Sequence, residues 1–252
     1  MAAAGMIRVA RRVLARSNAC LRFRRACLGI AVVLAGVAIP VRAQTLGFLP
    51  ETDFYVKINS SMRTDLEAKD DRDAGVSTQF SIGPSIQFSL KPLLRLKNVK
   101  AFDLDDAKQR PLVVELGYRT LTAPDKPITN RMETIVTTNF PLKFAFHLSD
   151  RNRADLDWQN GAFSWRYRNK VTLDRTFAIH SYHLIPYAAG EFYYTSQYSK
   201  WSTTALFAGC LFPVGKHVQF DTYYEHENNT GKKENKQDQY MGLAAHFFFS
   251  IR

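Results

Sequence analysis

Cysteine is scarce in this chain, which has only Cys20, Cys27 and Cys210 among its 252 residues. The first two lie in an N-terminal segment with the features of a cleaved signal, so the mature chain keeps only Cys210. One cysteine can form no internal disulfide, although exported proteins are often stabilised by disulfides. A disulfide framework is therefore excluded, and the mature fold has to be stable through its own packing and hydrogen bonds.

Acidic residues are absent from the first 43 residues, which carry eight arginines. An apolar run, Ala26–Ile39, follows most of these arginines, and Pro40 and small residues up to Ala43 come next. A helix needs roughly 20 apolar residues to span a bilayer, so this run is too short for a membrane span. The order of basic, apolar and small residues predicts a secretory signal peptide over residues 1–43 and an exported mature chain over residues 44–252. A retained amphipathic anchor is the alternative interpretation.

The formal net charge of +11 comes mostly from that N-terminal segment. Without its eight arginines, the 34 basic residues fall to 26 against 23 acidic ones, which leaves a net charge of +3. The remaining basic residues alternate with an apolar strand face and have acidic residues beside them. This pattern argues against a nucleic-acid partner.

Long apolar runs are also missing after residue 43, where the dominant pattern is alternation with a period of two. In Val76–Leu90 the even positions are almost all apolar, and the odd positions are Ser, Gln or Gly. A soluble strand is usually about 5–6 residues long, whereas a strand that crosses a bilayer at a tilt needs about 9–11. Because backbone groups at a sheet edge stay unsatisfied in hydrocarbon, membrane-spanning strands have to close into a barrel.

The same alternation marks ten candidate strands in the mature chain. They are Phe54–Met62, Val76–Leu90, Leu112–Thr120, Arg131–Thr138, Leu142–Trp158, Phe163–Asp174, Leu184–Ser196, Trp201–Phe212, His217–Asn228 and Tyr240–Ile251. The predicted fold class is all-β, a closed antiparallel transmembrane β-barrel of about ten strands, with eight to twelve possible.

The connections between these strands predict an orientation in the membrane. Outer-membrane barrels have short periplasmic turns, longer outer loops and an even strand number. Proline turns at Asn139–Lys143 and Phe212–His217 would then be periplasmic, as would the mature N-terminus, and three polar segments would be outside, at 63–75, 121–130 and 227–238. Lys91–Pro111 is long yet periplasmic in this scheme, and a short helix is expected in it.

Several segments resemble a known family. They are "LSDRNRADLDW", "FSWRYRNKVTLDR", "PYAAGEFYY" and "KWSTTALFAGCLFPVGKHVQFDTYYEHEN". Over residues 110–252, and more loosely over 50–110, the chain resembles the uncharacterised bacterial outer-membrane barrel family catalogued as domain of unknown function 2490. The terminal "MGLAAHFFFSIR" is similar to the signal read by the barrel assembly machinery, although it ends in Ile-Arg rather than an aromatic residue. The resemblance implies an outer-membrane β-barrel and brings no activity, substrate or catalytic residue.

Charged side chains fall on one face of several candidate strands, opposite an apolar face. A small barrel has little lumen, and an unpaired charge inside it costs several kcal/mol, so opposite charges are expected to meet there. The predicted lumen charge network consists of Arg151, Arg153, Asp155, Asp157, Arg166, Arg168, Lys170, Glu191, Asp221 and Glu225. Aromatic residues near strand ends are expected in interfacial girdles: Trp158, Tyr193, Tyr194, Tyr198, Trp201, Tyr223, Tyr224 and Tyr240.

These features favour a structural or narrow-channel protein of the bacterial outer membrane, without catalysis. Its expected partners are outer-membrane lipid and the barrel assembly machinery, and any small-molecule ligand is left open. One alternative is a barrel-type lipid-modifying hydrolase or acyltransferase that uses His147, which lies near Ser149, or another histidine. The other is a soluble periplasmic lipocalin-like barrel with its apolar faces inside. No cofactor is expected, and Glu225, His226 and Glu227 point alternately to opposite sides of a strand, which argues against a metal site there.

Overall fold

The structure, a computed structural model, describes residues 46–90, 104–179, 182–231 and 235–251. Two compact units divide the chain, Met1–Gln44 and Thr45–Arg252, and every described residue belongs to the second. The predicted signal peptide, with Cys20 and Cys27, lies outside the described residues. No helix in the described ranges is long and apolar enough to span a membrane.

The described chain is almost entirely β-structure, with eleven long strands, one short strand and two short 3-10 turns. The strands are β1 (Leu46–Lys57), β2 (Met62–Asp73), β3 (Val76–Leu90), β4 (Leu112–Thr122), β5 (Thr129–Pro141), β6 (Phe146–Gln159), β7 (Ala162–Arg175), β8 (Phe177–Ile179), β9 (Tyr182–Thr195), β10 (Lys200–Val214), β11 (Val218–Asn229) and β12 (Lys236–Ser250). The 3-10 turns are Asp106–Gln109, inside the segment in which a short helix was expected, and Lys143–Ala145.

The long strands form one closed barrel in chain order. Each pairs antiparallel with the next, and the short β8 lies beside β9 as a continuation of β7. The ring closes between β1 and β12, which are parallel, with Leu46 beside Gln239 and Lys57 beside Ser250. The all-β class and the closed barrel are confirmed, and eleven long strands fall within the predicted range of eight to twelve.

The odd strand number changes the placement of the two chain ends. In an antiparallel barrel with an even number of strands, the last strand ends at the rim at which the first strand begins. Here β1 begins at one rim and β12 ends at the other. We call the rim at which β1 and β12 both finish the C-rim and the opposite rim the N-rim. The expected even number was wrong. The mature N-terminus was expected on the side of the proline turns, and this was also wrong, because β1 begins at the N-rim whereas both proline turns lie at the C-rim.

Alternation along β3 shows why these residues form barrel strands. Phe80, Ile82 and Phe88 are exposed on the outer face, while Ser81 and Gln87 are buried on the inner face. Since neighbouring side chains of a strand point to opposite faces, a single sequence supplies both the apolar outer wall and the polar inner wall. The strand keeps the bounds that the sequence predicted.

The first hairpin differs from the prediction. Phe54–Met62 was expected as one strand, but β1 ends at Lys57 and β2 begins at Met62. Residues 63–75, expected as an outer loop, form most of β2. The physical reason is that β2 places charged residues on its inner face against only a weak apolar outer face, so its composition is that of a loop.

The turn between the candidate strands Leu142–Trp158 and Phe163–Asp174 lies where the sequence predicts it. Asn160 and Gly161 connect β6 to β7, and both have positive φ angles, of 49° and 78°. Two-residue hairpins favour Asn-Gly because both central residues need this left-handed conformation. The turn aligns Asp155 of β6 with Arg166 of β7 and so positions the candidate site.

Candidate functional site

The structure places all ten residues of the predicted lumen charge network on the inner face of the barrel. Eight of them line a cavity of about 590 Å³ inside it. The other two, Asp155 and Asp157, lie behind the cavity surface and hold arginines of the same wall. Most of these charges lie on β6 and β7, whose outer faces are largely apolar.

Two buried carboxylates anchor the arginines of β4 to β7. Asp155, with no exposed surface, accepts from Arg153 Nε at 2.5 Å and from Arg166 Nη2 at 2.9 Å. Glu133, 2% exposed, accepts from Arg119 Nε at 2.8 Å and from Arg153. Charge-assisted hydrogen bonds of this kind are about twice as strong as neutral ones. The network therefore fixes the positions of these guanidinium groups.

The neighbouring positions continue this pairing toward the N-rim and into β9. Arg131 binds Asp157 through two hydrogen bonds, of 2.6 and 2.8 Å. Arg168 Nε donates to Glu191 Oε1 at 2.8 Å. Each of these pairs joins adjacent strands, so the charge network also links the strands of this wall.

Two cations of this wall have no such partner. Within the described ranges, Arg151 makes no hydrogen bond or ion pair, and Lys170 contacts only the ring of Phe207, with its Nζ 3.6 Å from the centroid. Both line the cavity. We call the inner face of β5 to β7 the basic wall, because its cavity-lining charges are Arg131, Arg151, Arg153, Arg166, Arg168 and Lys170.

The opposite side of the lumen carries carboxylates. We call the inner face of β11, β12, β1 and β2 the acidic wall, and its acids are Asp221, Glu225, Glu227, Asp238, Glu51, Asp53, Asp65, Glu67 and Asp71. In the ring of eleven strands, β1 lies directly across from β6 and β7. Asp221 and Glu225 were expected to meet the arginines, but they lie on this wall, where Asp221 accepts from Tyr187 Oη at 3.0 Å. The lumen therefore has charges of opposite sign on opposite sides, which produces an electric field across it.

The cavity occupies only part of the barrel. Its lining includes residues at the N-rim, such as Asp73, Lys126 and Lys236, and reaches as far as His246 and Asp221. Among the described residues, none at the ends of the strands on the C-rim side lines the cavity. The cavity is therefore open toward the N-rim side and ends inside the barrel.

A short segment, residues 104–110, fills the C-rim end of the lumen, and we call it the plug segment. Arg63 Nη1 of β2 lies 2.5 Å from Asp105, and Lys108 Nζ lies 3.3 Å from Asp174 of β7. Further contacts reach Lys57 of β1, Asn139 of β5 and Gln219 of β11. These strands are spread around the whole ring, so the segment crosses the lumen rather than lying on one wall.

The electrostatics of the plug segment favour its docked position. Burial opposes ionisation of Asp105, but the adjacent Arg63 guanidinium holds the pKa of this carboxyl below its usual value. The side chain of Asp105 also accepts from the backbone of Ala107, which caps the 3-10 turn. The ionised carboxylate therefore stabilises both the local turn and its attachment to the wall.

Two histidines form carboxylate pairs, which bears on the enzyme interpretation. His147 Nδ1 lies 3.0 Å from Asp174, and its Nε2 is buried without a hydrogen-bond partner among the described residues. Ser149 shares the inner face, but no hydrogen bond joins it to His147 in the described ranges. A hydroxyl nucleophile needs its base within hydrogen-bond reach, so this pair lacks the required contact. His246 Nδ1 lies 2.6 Å from Asp53 on the acidic wall.

The acidic wall also contains the group of side chains best suited to a metal ion. One ligand oxygen each from Glu51, Asp53 and Glu67 lies within 4.8 Å of the others. These residues are on β1 and β2, in the region that sequence reasoning assigned partly to a loop. Their alternation, with Asp65, Glu67, Lys69 and Asp71 at every second position, was the signal that could have revealed an inner face.

Some predicted girdle residues lie inside the barrel instead. Tyr193 is 7% exposed and donates to Glu191, and Tyr223 and Tyr240 line the cavity. Their inward direction follows from the strand register, which places them on the same face as Glu191, Glu225 and Asp238. Trp158, Tyr194 and Trp201 do lie on the outer face near the N-rim.

A family model described as protein of unknown function (DUF2490) matches residues 51–238. The chain belongs to this family. The DUF2490 match begins within β1 and ends within β12, so it takes in nearly the whole closed ring. No curated protein matches the chain.

Proposed function

We propose that this protein is a bacterial outer-membrane β-barrel that forms a narrow polar channel, closed in this conformation by the plug segment. The observation that carries the proposal is the inverted distribution of side chains. Large apolar residues such as Phe192, Leu206 and Leu243 are exposed on the outside, while Asp155 and Glu191 are buried inside. In water this arrangement is unfavourable, whereas in a bilayer the outer face gains an apolar surrounding.

Strand length and aromatic placement support the same proposal. The long strands have 11 to 15 residues, enough to cross a bilayer at a tilt, which needs about 9–11. Trp165 and Tyr194 stack at 5.4 Å on the outer face near the N-rim, and Phe54 and Phe247 stack at 4.9 Å near the C-rim. Aromatic groups at both ends of the apolar band are typical of membrane barrels, where they lie at the lipid headgroups.

The cavity favours a channel over the lipocalin-like alternative. A barrel that binds an apolar ligand needs an apolar interior, whereas this cavity is lined largely by charged and hydroxyl-bearing side chains. Its volume, about 590 Å³, suits a small polar solute. Arg151 and Lys170 line one side of it and Glu51 and Glu225 the other, all four without an ion pair among the described residues. Opposite charges on opposite sides favour solutes that carry both charges, such as zwitterions.

The plug segment makes the channel testable. Its side-chain contacts with the barrel among the described residues are ion pairs and hydrogen bonds, so neutralising its acids should weaken its docking without removing apolar packing. The variant Asp105→Asn with Asp106→Asn should conduct more, and in longer openings, than the wild-type protein in planar bilayers. Asp125→Asn, in the exposed loop at the N-rim, is the matched control and should behave as wild type.

Membrane location is tested first and separately. Outer-membrane fractionation, with heat-modifiable migration on gels, should recover a folded barrel in the membrane. Recovery in the soluble periplasm would sink the membrane proposal, and identical conductance of wild type, plug variant and control would sink the channel proposal.

A further inference from the structure

The acidic wall contains buried carboxylate oxygens that make no hydrogen bond within the described ranges. Asp65 is 5% exposed, and it makes no hydrogen bond or ion pair within the described ranges. Asp53 is 1% exposed, and its Oδ1 is also buried without a partner. A buried charge without a partner costs several kcal/mol, so a compensating group is expected beside these atoms.

The register brings these orphaned atoms together. Asp53 pairs with Glu67 across β1 and β2, and Asp65 is the next inner residue along β2. Asp65 pairs in turn with Ser85 of β3, whose buried hydroxyl oxygen is also without a partner. Directly paired and diagonal residues on one face of a sheet lie within about 4.5–8 Å. Asp65 on β2 is therefore a near neighbour of both Asp53 on β1 and Ser85 on β3, and each of the three residues has an unpartnered oxygen atom.

The charges at this spot leave a deficit that a divalent cation would fill. Four carboxylates are present, from Glu51, Asp53, Asp65 and Glu67. Arg119 binds Glu67, Lys69 pairs with Glu51 across β1 and β2, and His246, when protonated, adds one more positive charge beside Asp53. One negative charge remains even when all three cations are counted wholly for this cluster, although Arg119 is shared with Glu133 and Lys69 with Asp71.

We propose that the acidic wall binds a hard divalent cation of the size of Ca²⁺, with Glu51, Asp53 and Glu67 as ligands and Asp65 as an additional carboxylate. Calcium takes oxygen ligands at about 2.3–2.6 Å, so two ligands on opposite sides of it are roughly 4.6–5.2 Å apart. The three ligand oxygens here lie within 4.8 Å of one another, which accommodates this ion without contraction of the wall. Magnesium demands ligands at about 2.0–2.1 Å and loses its water reluctantly, so it fits less well.

The inference does not rest on the proposed channel function, although Glu51 also faces the cavity of the proposed channel. The ligands lie on the wall between the cavity and the plug segment, with Glu51 and Glu67 lining the cavity. A cation there would join β1 to β2 next to the parallel closure of the barrel. The inference holds for a barrel folded in detergent as much as for one in a membrane.

The first experiment measures cation binding by the folded wild-type protein in non-denaturing detergent, after treatment with a chelator. Calcium should raise the unfolding temperature in a saturable way, and Mg²⁺ at the same concentration should raise it less. Terbium, which replaces Ca²⁺, should show luminescence sensitised by Tyr55, whose backbone position pairs with Asp65. No saturable Ca²⁺ effect would overturn the proposal, and an equal effect of Mg²⁺ would overturn its size argument.

Variants then locate the effect. Glu51→Gln and Asp65→Asn keep side-chain shape and should each weaken Ca²⁺ binding about tenfold or more, since even partners of metal ligands contribute 10–100-fold. Asp71→Asn is the matched control, because Asp71 lies on the inner face of β2 but pairs with Lys69 at 3.6 Å. Unchanged Ca²⁺ affinity in both Glu51→Gln and Asp65→Asn, or an equal loss in the control, would overturn the assignment.

Discussion

The two walls of the lumen deal with buried charge in different ways. On the basic wall, most guanidinium groups are hydrogen-bonded to a carboxylate of the same or an adjacent strand, and Asp155 alone holds Arg153 and Arg166. On the acidic wall, Asp65 and one oxygen of Asp53 are buried without any partner among the described residues. An ion pair between adjacent strands links those strands, whereas a buried carboxylate without a partner can act as a ligand for a mobile cation. We therefore expect the basic wall to contribute mainly to stability, and we propose that the acidic wall binds a cation.

The largest contrast between the walls is expected at Asp155. Asp155→Asn would leave Arg153 and Arg166 short of a buried counter-charge, and breaking a buried pair typically costs about 3–5 kcal/mol. Urea unfolding followed by tryptophan fluorescence would measure this loss. Asp157→Asn is the matched control and should lower the free energy of unfolding clearly less. Asp157 is more exposed than Asp155 and binds Arg131, whereas Asp155 holds two arginines. Equal losses in the two variants would contradict a network centred on Asp155.

The same chemical change on the acidic wall should act in the opposite direction. In the absence of divalent cations, Asp65→Asn removes an uncompensated carboxylate and should stabilise the barrel by about 1–3 kcal/mol. The same unfolding measurement, carried out with a chelator present, checks the sign. Destabilisation comparable to that of Asp155→Asn would show that Asp65 has a partner and that the two walls do not differ.

Asp105 of the plug segment pairs with Arg63 of β2. Because this pair needs an ionised Asp105, closure of the channel by the plug segment is expected to depend on pH. Because the pKa of Asp105 is lowered by Arg63, its carboxylate stabilises the docked plug at all pH values above its ordinary pKa of about 4. This contribution is lost as the pH falls through the lowered pKa. Single-channel recordings should therefore show longer openings below about pH 4 than at pH 7. An identical opening time in Asp105→Asn at pH 7 and in the wild type would argue against this contact as the latch.

The smallest effect is expected at Asp71, where the acidic wall is paired and partly open to solvent. Its contact with Lys69 is 3.6 Å long, and exposed pairs of this kind contribute only about 0–1 kcal/mol. Asp71→Asn should therefore change the free energy of unfolding by less than about 0.5 kcal/mol. A large change would mean that pairing does not explain the contrast between the two walls.

Sequence periodicity was sufficient where both faces of a strand had a clear character. β3 was predicted with its bounds because its outer residues are apolar and its inner ones are small and polar. The hairpin of β6 and β7 was predicted with its turn because Asn160-Gly161 separates two alternating stretches. In these elements the local pattern and the tertiary fold specify the same structure.

Sequence periodicity did not predict the acidic wall, and the reason lies in the composition of β2. The outer face of β2 includes Asp70 and Arg72, so charge appears on both sides near its end and the strand has a loop's composition. On β5, Ile135 occupies an inner position at which the alternation of Arg131 and Glu133 predicts a polar residue, and it is buried there at 1% exposure. The contacts of the plug segment join residues as far apart as Leu104 and Gln219, and no local pattern predicts them.

The central claim, that the apolar face lies against lipid while the charges lie inside, is most directly tested with Cys210. It is the sole cysteine after residue 43 and lies on the outer face of β10, four residues from the end of the strand. A nitroxide attached to it in vesicle-reconstituted protein should be accessible to oxygen dissolved in lipid and shielded from a water-soluble nickel complex. Strong relaxation by the nickel complex, with little effect of oxygen, would place this face in water and contradict the account.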